Sequence, residues 1–296
     1  MSDVLDGIRE LSPIDRLCYW ISSREAVRLS KENGDKAPWT NDPILQSYRF
    51  CNVVRMDDKV SRWLYLNWYQ PYKDHPNMLV ACAIARFFNK PESLELITKS
   101  VFTKSHSAGT VTRIKEILRA YRDKGNTLFN GAYMVRGNDG VDKVSSVMDF
   151  YVKSLDESNK KLGLASIVDS DSMEATWKNI IPCHGWGSFM AGQVVADLRW
   201  AVTGTWADKD SWAPAGPGSM RGLNRLLERP LKQSFSQEEF VSQLQEVRRG
   251  CCDSIPRCLS DRMELHDWQN CMCEYDKYNR VLFGEGRPKQ LYRGGV

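Results

Sequence analysis

The chain has 296 residues, of which 42% are hydrophobic and 26% are charged, and this composition is typical of a folded protein with one large or two modest domains. A net charge of +4 is too small for a protein that coats nucleic acid indiscriminately, so any contact with nucleic acid must be local. No apolar segment approaches the roughly 20 residues that a membrane-spanning helix needs. Nine cysteines, an odd number with no signal peptide ahead of them, predict a reducing, cytoplasmic location.

Four potential zinc ligands cluster near the C-terminal end: Cys258, His266, Cys271 and Cys273. They lack the paired CxxC spacing of structural zinc sites, and two ligands two residues apart on a helix point to different sides. We therefore interpret these thiols as buried or incidental, and we assign no metal ligands.

Helical patterns follow one another along the chain. The first, SPIDRLCYWISSREAVRLSKENG, has Ser12 as its N-cap, Pro13 at its first position and a stop at Asn33-Gly34. Apolar residues three and four apart continue in DDKVSRWLYLNWY, NMLVACAIARFFN, PESLELITKS, TVTRIKEILRAYRDKG and VDKVSSVMDFYVKSLDESNKKLG, and SQEEFVSQLQEVRRG starts with a capping box. Only GAYMV, at residues 131–135, alternates as a strand does. The sequence predicts an all-α fold.

Glycine-rich turns near residues 125–140 suggest a division of the chain into two helical lobes. We expect an N-terminal lobe at residues 1–135 and a C-terminal lobe at residues 136–296, with a cleft between them.

The segment IPCHGWGSFMAGQVVADLR joins a tight turn to a helix rich in small residues. Gly185 and Gly187 allow positive φ, and Ser188 can cap the helix that follows. The segment resembles the LPGVGxxTA hairpin of helix-hairpin-helix DNA glycosylases, in which backbone N–H groups hold a DNA phosphate. An ordinary helix start in a bundle is the alternative.

A second turn, Gly216-Pro217-Gly218, precedes Arg221 and Arg225, which lie four apart at a helix start with Asn224 beside them. Two guanidinium groups near free helix N–H groups suit a phosphate or pyrophosphate. The alternative is a solvated amphipathic helix in which arginine pairs with Glu228.

The segment LSDRMELHDWQNCMCEYDKYNRVLFGEGRPK carries two stripes at helical spacing. The apolar stripe should face the core, and it comprises Leu265, Trp268, Met272, Tyr275 and Leu282. The polar stripe comprises Asp267, Asn270, Glu274 and Lys277. At the edge of a cleft this polar line suits general acid-base chemistry, whereas in solvent it would be a surface ion pair. Arg287 and Lys289 follow on a segment suited to phosphates.

The segment APWTNDPILQSYRFCNVVRMDD mixes aromatic and polar side chains in a span interrupted by two prolines. Its notable members are Trp39, Asp42, Arg49, Asn52, Arg55 and Asp57. Such a loop suits a pocket for a base or an amino acid, and a helix-capping loop with internal salt bridges is the alternative.

Three segments, PWTNDPILQSYRFCNVVRMDD, GPGSMRGLNRLLERP and CEYDKYNRVLFGEGRPK, together resemble one family. It comprises the alpha-glutamyl/putrescinyl thymine pyrophosphorylases and the related helical domain found with 5-hydroxymethyluracil DNA kinases, encoded largely by phages that hypermodify thymine. The resemblance runs from about Trp20 to Lys289. It implies a helical fold like that of helix-hairpin-helix DNA glycosylases, located in the host cytoplasm.

The resemblance also implies a reaction in which an amine, such as glycine, another amino acid or a polyamine, displaces pyrophosphate from a pyrophosphorylated hydroxymethyluracil in double-stranded DNA. Glu274 would be the first choice of base for the amine, followed by Asp267 or Asp276, with Lys277 in the same line. The leaving pyrophosphate would be neutralised by Arg221, Arg225, Arg287 or Lys289. The extruded base or the amine would be held by Trp39, Asp42, Arg49, Asn52, Arg55, Tyr133, Gln193 and Asn224, and the DNA backbone by Gly185, Gly187 and Ser188. Whether Mg²⁺ assists is left open.

Two other functions stay open. Asp208 and Asp210 follow the hairpin about where glycosylases carry a catalytic aspartate, so excision of a modified base is one alternative. The other is a non-catalytic DNA-binding partner of a 5-hydroxymethyluracil DNA kinase. The chain has no GxxxxGK[ST] phosphate loop, so we do not expect it to phosphorylate DNA with ATP by itself.

Overall fold

The computed structural model describes residues 2–103, 107–130, 137, 139–162, 167–201, 206–286 and 288. These residues form helices and connecting turns, and no β-strand occurs among them. The prediction of an all-α fold is therefore confirmed, whereas GAYMV lies outside the described residues. None of the described helices is both long enough and apolar enough to span a membrane.

The fifteen α-helices follow one another in this order: α1 (Ser2–Glu10), α2 (Pro13–Glu32), α3 (Pro43–Ser47), α4 (Lys59–Leu64), α5 (Met78–Phe88), α6 (Pro91–Val101), α7 (Ala108–Asp123), α8 (Lys143–Ser145), α9 (Lys153–Leu162), α10 (Met173–Ile180), α11 (Ser188–Ala201), α12 (Pro217–Leu226), α13 (Gln237–Cys251), α14 (Arg257–Ser260) and α15 (Leu265–Leu282), counting only the described part of the chain. Two π-helical segments, Tyr65–Tyr69 and Ser146–Val152, continue α4 and α8.

The chain divides into two compact units. The first combines Met1–Asp58 with Asp210–Val296, and the second is Lys59–Lys209. The boundary expected at residues 135–136 falls inside the second unit. The glycine-rich turns do not reveal this arrangement, because the N-terminal helices pack with helices more than 200 residues later, such as α15.

Helix α2 shows how local signals set the helix ends. The Ser12 Oγ accepts a hydrogen bond from the Asp15 N–H at 3.2 Å, and Pro13 occupies the first helical position. The helix ends at Glu32, followed by Asn33 as its C-cap. Both predicted ends of this helix are confirmed, and so is the capping box of Ser236 and Glu239 at the start of α13.

Helices α12 and α15 pack closely at the centre of the first unit. Gly222 lies against the backbone of Met272, and Gly218 lies against the side chain of Cys273. All five residues of the predicted apolar stripe are at most 1% exposed, so that prediction is confirmed. This close approach places the arginines of α12 beside the polar face of α15.

The second unit is built around α5, of which every residue is buried. An ion pair lies within this core: Arg86 on α5 donates to Asp197 on α11, which also accepts a hydrogen bond from the Tyr69 hydroxyl. Arg86 is 2% exposed and Asp197 is fully buried. Both charged groups have therefore lost their contact with water, and direct hydrogen bonds between them replace it.

Candidate active site

Helix α15 holds Glu274 against the loop that follows α3. The Oε2 atom of Glu274 accepts hydrogen bonds from the Cys51 N–H at 3.1 Å and from the Lys277 ammonium at 3.0 Å. Lys277 also donates to the Arg49 carbonyl oxygen and lies 4.6 Å from the centre of the Phe50 ring. Arg49 therefore takes part through its backbone, while its side chain is exposed.

A second carboxylate, Asp58, belongs to the same group of residues. Its Oδ1 accepts a hydrogen bond from the Asn52 N–H at 3.2 Å. Burial raises the pKa of Asp58 more than the hydrogen bond from Asn52 and the guanidinium of Arg24 lower it, and the negative charge of Glu274 raises it further. The site thus pairs two carboxylates of which one holds its proton more tightly than a free aspartate does.

Asn52 connects this group to α2. Its side-chain oxygen accepts from the Arg24 guanidinium, and its Nδ2 donates to the Asp57 carbonyl at 2.8 Å. Arg24 also donates to the Phe50 carbonyl at 3.5 Å. One cation from α2 therefore faces the loop on which Asn52 and Asp58 lie.

The cysteines beside Glu274 are held in the thiol form. The charge of Glu274 raises the pKa of Cys51 well above its ordinary value. Burial, followed by the charge of Glu274, raises the pKa of Cys273 to about 12. A thiolate nucleophile is therefore not expected here, since reactive cysteines need a lowered pKa.

Asp267 has a structural role at the start of α15. One carboxylate oxygen accepts from the Glu264 N–H at 3.0 Å, which completes a capping box, and the other accepts from the Arg55 N–H at 2.8 Å. The side chain of Arg55 reaches His266, with 3.5 Å between the two nitrogens. Asp267 thereby fixes the loop next to Glu274. These two donors to Asp267 differ from the donors that bind Glu274.

Asp276 lies at the centre of an arginine cluster. Its oxygens lie 2.6 Å from Arg225, 3.4 Å from Arg221 and 3.4 Å from Arg280. Arg225 also binds Glu285 through both terminal nitrogens, one of them at 2.9 Å. Burial alone would lower the pKa of Arg225, but these hydrogen bonds hold it above its ordinary value.

Exposure distinguishes the three guanidinium groups. The side chain of Arg225 is 9% exposed, whereas those of Arg221 and Arg280 are 42% and 33% exposed. Arg225 is therefore committed to two carboxylates, and the other two arginines present cationic surface to solvent. Arg280 was not among the residues predicted from the sequence.

Two predicted pocket residues hold the fold instead of lining a site. Asp42 is 1% exposed, caps α3 through the Ile44 N–H at 2.8 Å, and accepts the Tyr278 hydroxyl at 2.7 Å. Asn224 is fully buried and donates to the carbonyls of Leu231 and Gln233. Asp57, in the same segment as Asp42, pairs at 2.7 Å with Arg262, which lies outside that segment.

Trp39 lines a cavity of its own in the first unit, with a volume of about 340 Å³. The Lys31 ammonium lies 4.6 Å from the centre of the Trp39 ring, and the Trp39 indole N–H donates to the Asp35 carbonyl at 2.7 Å. The cavity is mainly apolar, and Gln46 and Thr40 add polar groups to its wall.

The predicted hairpin lies in the second unit. Gly185 has a φ of +83°, and the turn is held by the Trp186 indole N–H, which donates to the Tyr151 carbonyl at 3.0 Å. Ser188 is the first residue of helix α11. The side chain of Gln193 is buried within that helix. The turn is exposed at Gly185 and Gly187.

Three predicted residues, Tyr133, Arg287 and Lys289, lie outside the described residues.

Asp208 accepts hydrogen bonds from the Ser172 hydroxyl and from the N–H groups of Met173 and Glu174, so it caps α10. The backbone carbonyl of Asp210 accepts a hydrogen bond from the Arg248 guanidinium at 3.1 Å. Among the described residues, no group of three or more histidine, cysteine, aspartate or glutamate side chains is arranged to hold a metal ion.

Sequence reasoning missed Arg24, Cys51 and Asp58. Asp58 follows Asp57 at the end of the segment that the sequence predicts to form a pocket. This second, adjacent carboxylate was the signal that could have identified Asp58. No local pattern marks Arg24, which reaches the site only through the packing of α2.

Comparisons with known proteins agree with the helical architecture. Residues 12–287 match the family model described as "5-hmdU DNA kinase, helical domain". A protein named 5-hmdU DNA kinase, from Bacillus phage SP10, is 27% identical over 215 residues. That alignment covers 66% of this chain and 33% of the relative, so the chain spans about a third of the length of the relative it matches. No solved structure matches the chain.

Proposed function

Because the chain belongs to the family of 5-hmdU DNA kinase helical domains, we propose that it is a transferase of phage thymine hypermodification. It replaces the pyrophosphate of 5-pyrophosphoryloxymethyl-deoxyuridine in DNA with an amine, such as glycine or another amino acid. This assignment places the chain with the alpha-glutamyl/putrescinyl thymine pyrophosphorylases within the wider family.

The arrangement around Glu274 is the observation that carries the proposal. A nucleophilic amine must lose a proton, and Glu274 is a carboxylate fixed by a backbone N–H and by Lys277. The charge of Glu274 acts on Asp58, whose pKa is raised, so the site combines the proposed proton acceptor with a second carboxylate that holds its proton more tightly than a free aspartate does.

The leaving group requires positive charge, and the arginine cluster supplies it. Pyrophosphate departs with the electrons of the C–O bond, and guanidinium groups stabilise that developing charge. Arg221 and Arg280 are the solvent-facing members, while Arg225 and Asp276 hold the cluster together. We therefore assign pyrophosphate binding to Arg221 and Arg280, with Arg225 as a positioning residue.

The chemical step balances without a redox partner. The amine nitrogen forms a bond to the exocyclic methylene carbon, the C–O bond to pyrophosphate breaks, and the amine proton passes to the carboxylate of Glu274. Departure of pyrophosphate leaves a carbon conjugated with the pyrimidine ring, which favours attack by the amine.

The target base has to leave the duplex before it can react, at a cost of a few kcal/mol. We assign the cavity of Trp39 to the extruded base, because its mainly apolar wall includes an indole that suits contact with a pyrimidine ring. We assign the turn at Gly185–Ser188 to the DNA backbone, as in a helix-hairpin-helix fold, because its exposed glycines leave backbone N–H groups accessible.

A non-catalytic DNA-binding role is the second candidate function. The alignment with one third of a 5-hmdU DNA kinase favours it, since a domain of a longer enzyme can serve that enzyme by binding its DNA. Base excision has less support, because Asp208 is bound to the N-terminus of α10 and is not available as a catalytic aspartate.

The deciding experiment uses duplex DNA that carries enzymatically pyrophosphorylated hydroxymethyluracil. The protein is incubated with this DNA and a mixture of amino acids and polyamines, with and without Mg²⁺, and the digested nucleosides are analysed by mass. A new aminated nucleoside with matching release of pyrophosphate would establish the transferase. An untouched ester would favour the binding role, and release of the free base would favour excision.

A further inference from the structure

A second cavity, also of about 340 Å³, lies in the second unit where α7 ends and α8 begins. Its wall includes Arg122, Thr127, Phe129 and Lys143. None of these residues belongs to the hairpin or to the residues proposed for chemistry.

Positive charge is concentrated around this cavity. Within the described part of the chain, Lys143 donates no hydrogen bond and forms no ion pair, and its ammonium lies 4.4 Å from the centre of the Phe129 ring. Lys90 donates to the backbone and side-chain oxygens of Thr127, both at 2.5 Å. Arg122 pairs with the adjacent Asp123 in an exposed ion pair, which contributes little.

The wall of the cavity is held in place by packing and hydrogen bonds. Phe129 stacks on Phe88 with 4.7 Å between ring centres, and the Ser93 hydroxyl donates to the Leu128 carbonyl at 2.9 Å. The nearby carboxylate of Asp142 is engaged by the Val144 N–H at 3.1 Å and by Arg119 at 2.6 Å. The negative charge of Asp142 therefore interacts with the Val144 N–H and the Arg119 guanidinium.

We propose that this cavity binds a phosphate of the DNA backbone. The Lys143 ammonium and the Arg122 guanidinium line the cavity, Lys90 binds Thr127 in its wall, and lysine and arginine are the residues that bind phosphate. Phe88 and Lys143 both pack against Phe129, so the ring is not left open for a base to stack on. The site therefore recognises phosphate and not base, which fits a contact with the duplex backbone.

The choice of DNA as the source of the phosphate rests on the proposed function, whereas the cationic cavity itself does not. Contacts to backbone phosphates position a protein on DNA without reading its sequence. We expect this cavity to add affinity and orientation in addition to the contacts of the hairpin.

The test measures the affinity of the protein for a fluorescent DNA duplex between about 50 and 200 mM salt. Lys143→Met removes the charge and keeps an apolar chain over Phe129. It should lower the affinity about fivefold to tenfold, and it should reduce the slope of log K against log salt by about 0.9 for one lost phosphate contact. Lys143→Arg should retain the wild-type slope.

The matched control is Lys153→Met, which removes one charge from an exposed side chain on α9 of the same unit. Equal affinities and slopes for the Lys143 and Lys153 variants would overturn the proposal. Arg122→Gln, at an exposed position, provides a second variant in case Lys143→Met changes the thermal unfolding of the protein.

Two further measurements separate the possible outcomes. If free dTMP displaces the duplex at concentrations near those of the DNA, and only while Lys143 is present, the cavity serves a free nucleotide and the DNA assignment is overturned. Amine transfer by the wild-type protein is then measured at saturating DNA. Binding that depends on Lys143 without transfer by the wild type would overturn the transferase and leave the DNA site standing.

Discussion

A Cβ atom added to Gly222 would lie 1.9 Å from the carbonyl oxygen of Met272. The two helices meet at their backbones here, and this contact determines where the arginines of α12 stand relative to Asp276. Since backbone cannot yield as a flexible side chain does, a larger residue at this position must separate α12 from α15.

Gly222→Ala should therefore destabilise the protein by about 2 to 3 kcal/mol. Urea unfolding measures the change. Gly7→Ala is the matched control, because Gly7 lies within α1 with no atom within 4 Å of the added methyl. That substitution should stabilise the protein by about 0.5 to 1 kcal/mol, and a loss of similar size in both variants would contradict the packing argument.

Glu274→Gln should abolish most of the proposed transfer and leave the fold intact. Glutamine can still accept the hydrogen bond from the Cys51 N–H, but it cannot take the proton of the amine. The rate of aminated nucleoside formation should fall about 10² to 10⁴-fold. Glu246→Gln on the exposed face of α13 is the control, and wild-type transfer by Glu274→Gln would exclude Glu274 as the base.

Arg221 and Arg225 should respond differently to the same substitution. Arg221→Gln, at a side chain that is 42% exposed, should change stability by less than about 0.5 kcal/mol and lower transfer about tenfold to a hundredfold. Arg225→Gln leaves Asp276 and Glu285 without their closest partner and should cost about 1 to 3 kcal/mol. Thermal unfolding and transfer assays on both variants check this contrast, and equal stability of the two would refute it.

The raised pKa of Asp58 predicts a specific dependence of stability on pH. In the interval between its unfolded and folded pKa values, the folded state binds more protons than the unfolded state, so this residue makes stability fall as the pH rises. Asp58→Asn lacks that contribution, and its stability relative to wild type should increase as the pH rises from about 3 toward 7. Urea unfolding across this range measures the difference, with the exposed Asp253→Asn as the control.

Gly185→Ala should disturb the hairpin, whereas Gly187→Ala should not. A Cβ at Gly185 would lie 2.7 Å from the ring of Tyr151, and φ is +83° there, while no atom lies within 4 Å of a Cβ at Gly187. Tyr151 stacks on Phe87 and cannot easily move aside. We expect a loss of about 1 to 3 kcal/mol and weaker DNA binding for Gly185→Ala alone. Anisotropy and thermal unfolding test both variants, and equal DNA affinities would remove the hairpin from the proposed interface.

Local features of the fold could be predicted from the sequence. The cap at Ser12, the capping box at Ser236 and the apolar stripe of α15 depend on residues within a few positions of one another, and all three are present. The π-helical turn at Tyr65–Tyr69 was not predicted, because its apolar spacing is close to that of an α-helix.

The candidate site was predictable only in part, because it is assembled by contacts between distant segments. Glu274 was identified from its place on a polar helix face, but its partner Cys51 is 223 residues away in sequence. Asp267 has the same spacing on that face, and its position at the start of the helix makes it a cap. Helical periodicity shows which residues share a face, but not which backbone groups that face meets.

The discontinuous first unit has a consequence for how the protein folds during synthesis. Residues 1–58 leave the ribosome before residues 59–209, and the helices with which they share a core follow only after that second segment has been made. Long-range contacts of this kind slow folding, because a large loop must close before they form. We expect the second unit to fold first, because it is contiguous in sequence. The apolar faces of the N-terminal helices remain exposed to solvent until α12 and α15 have been synthesised.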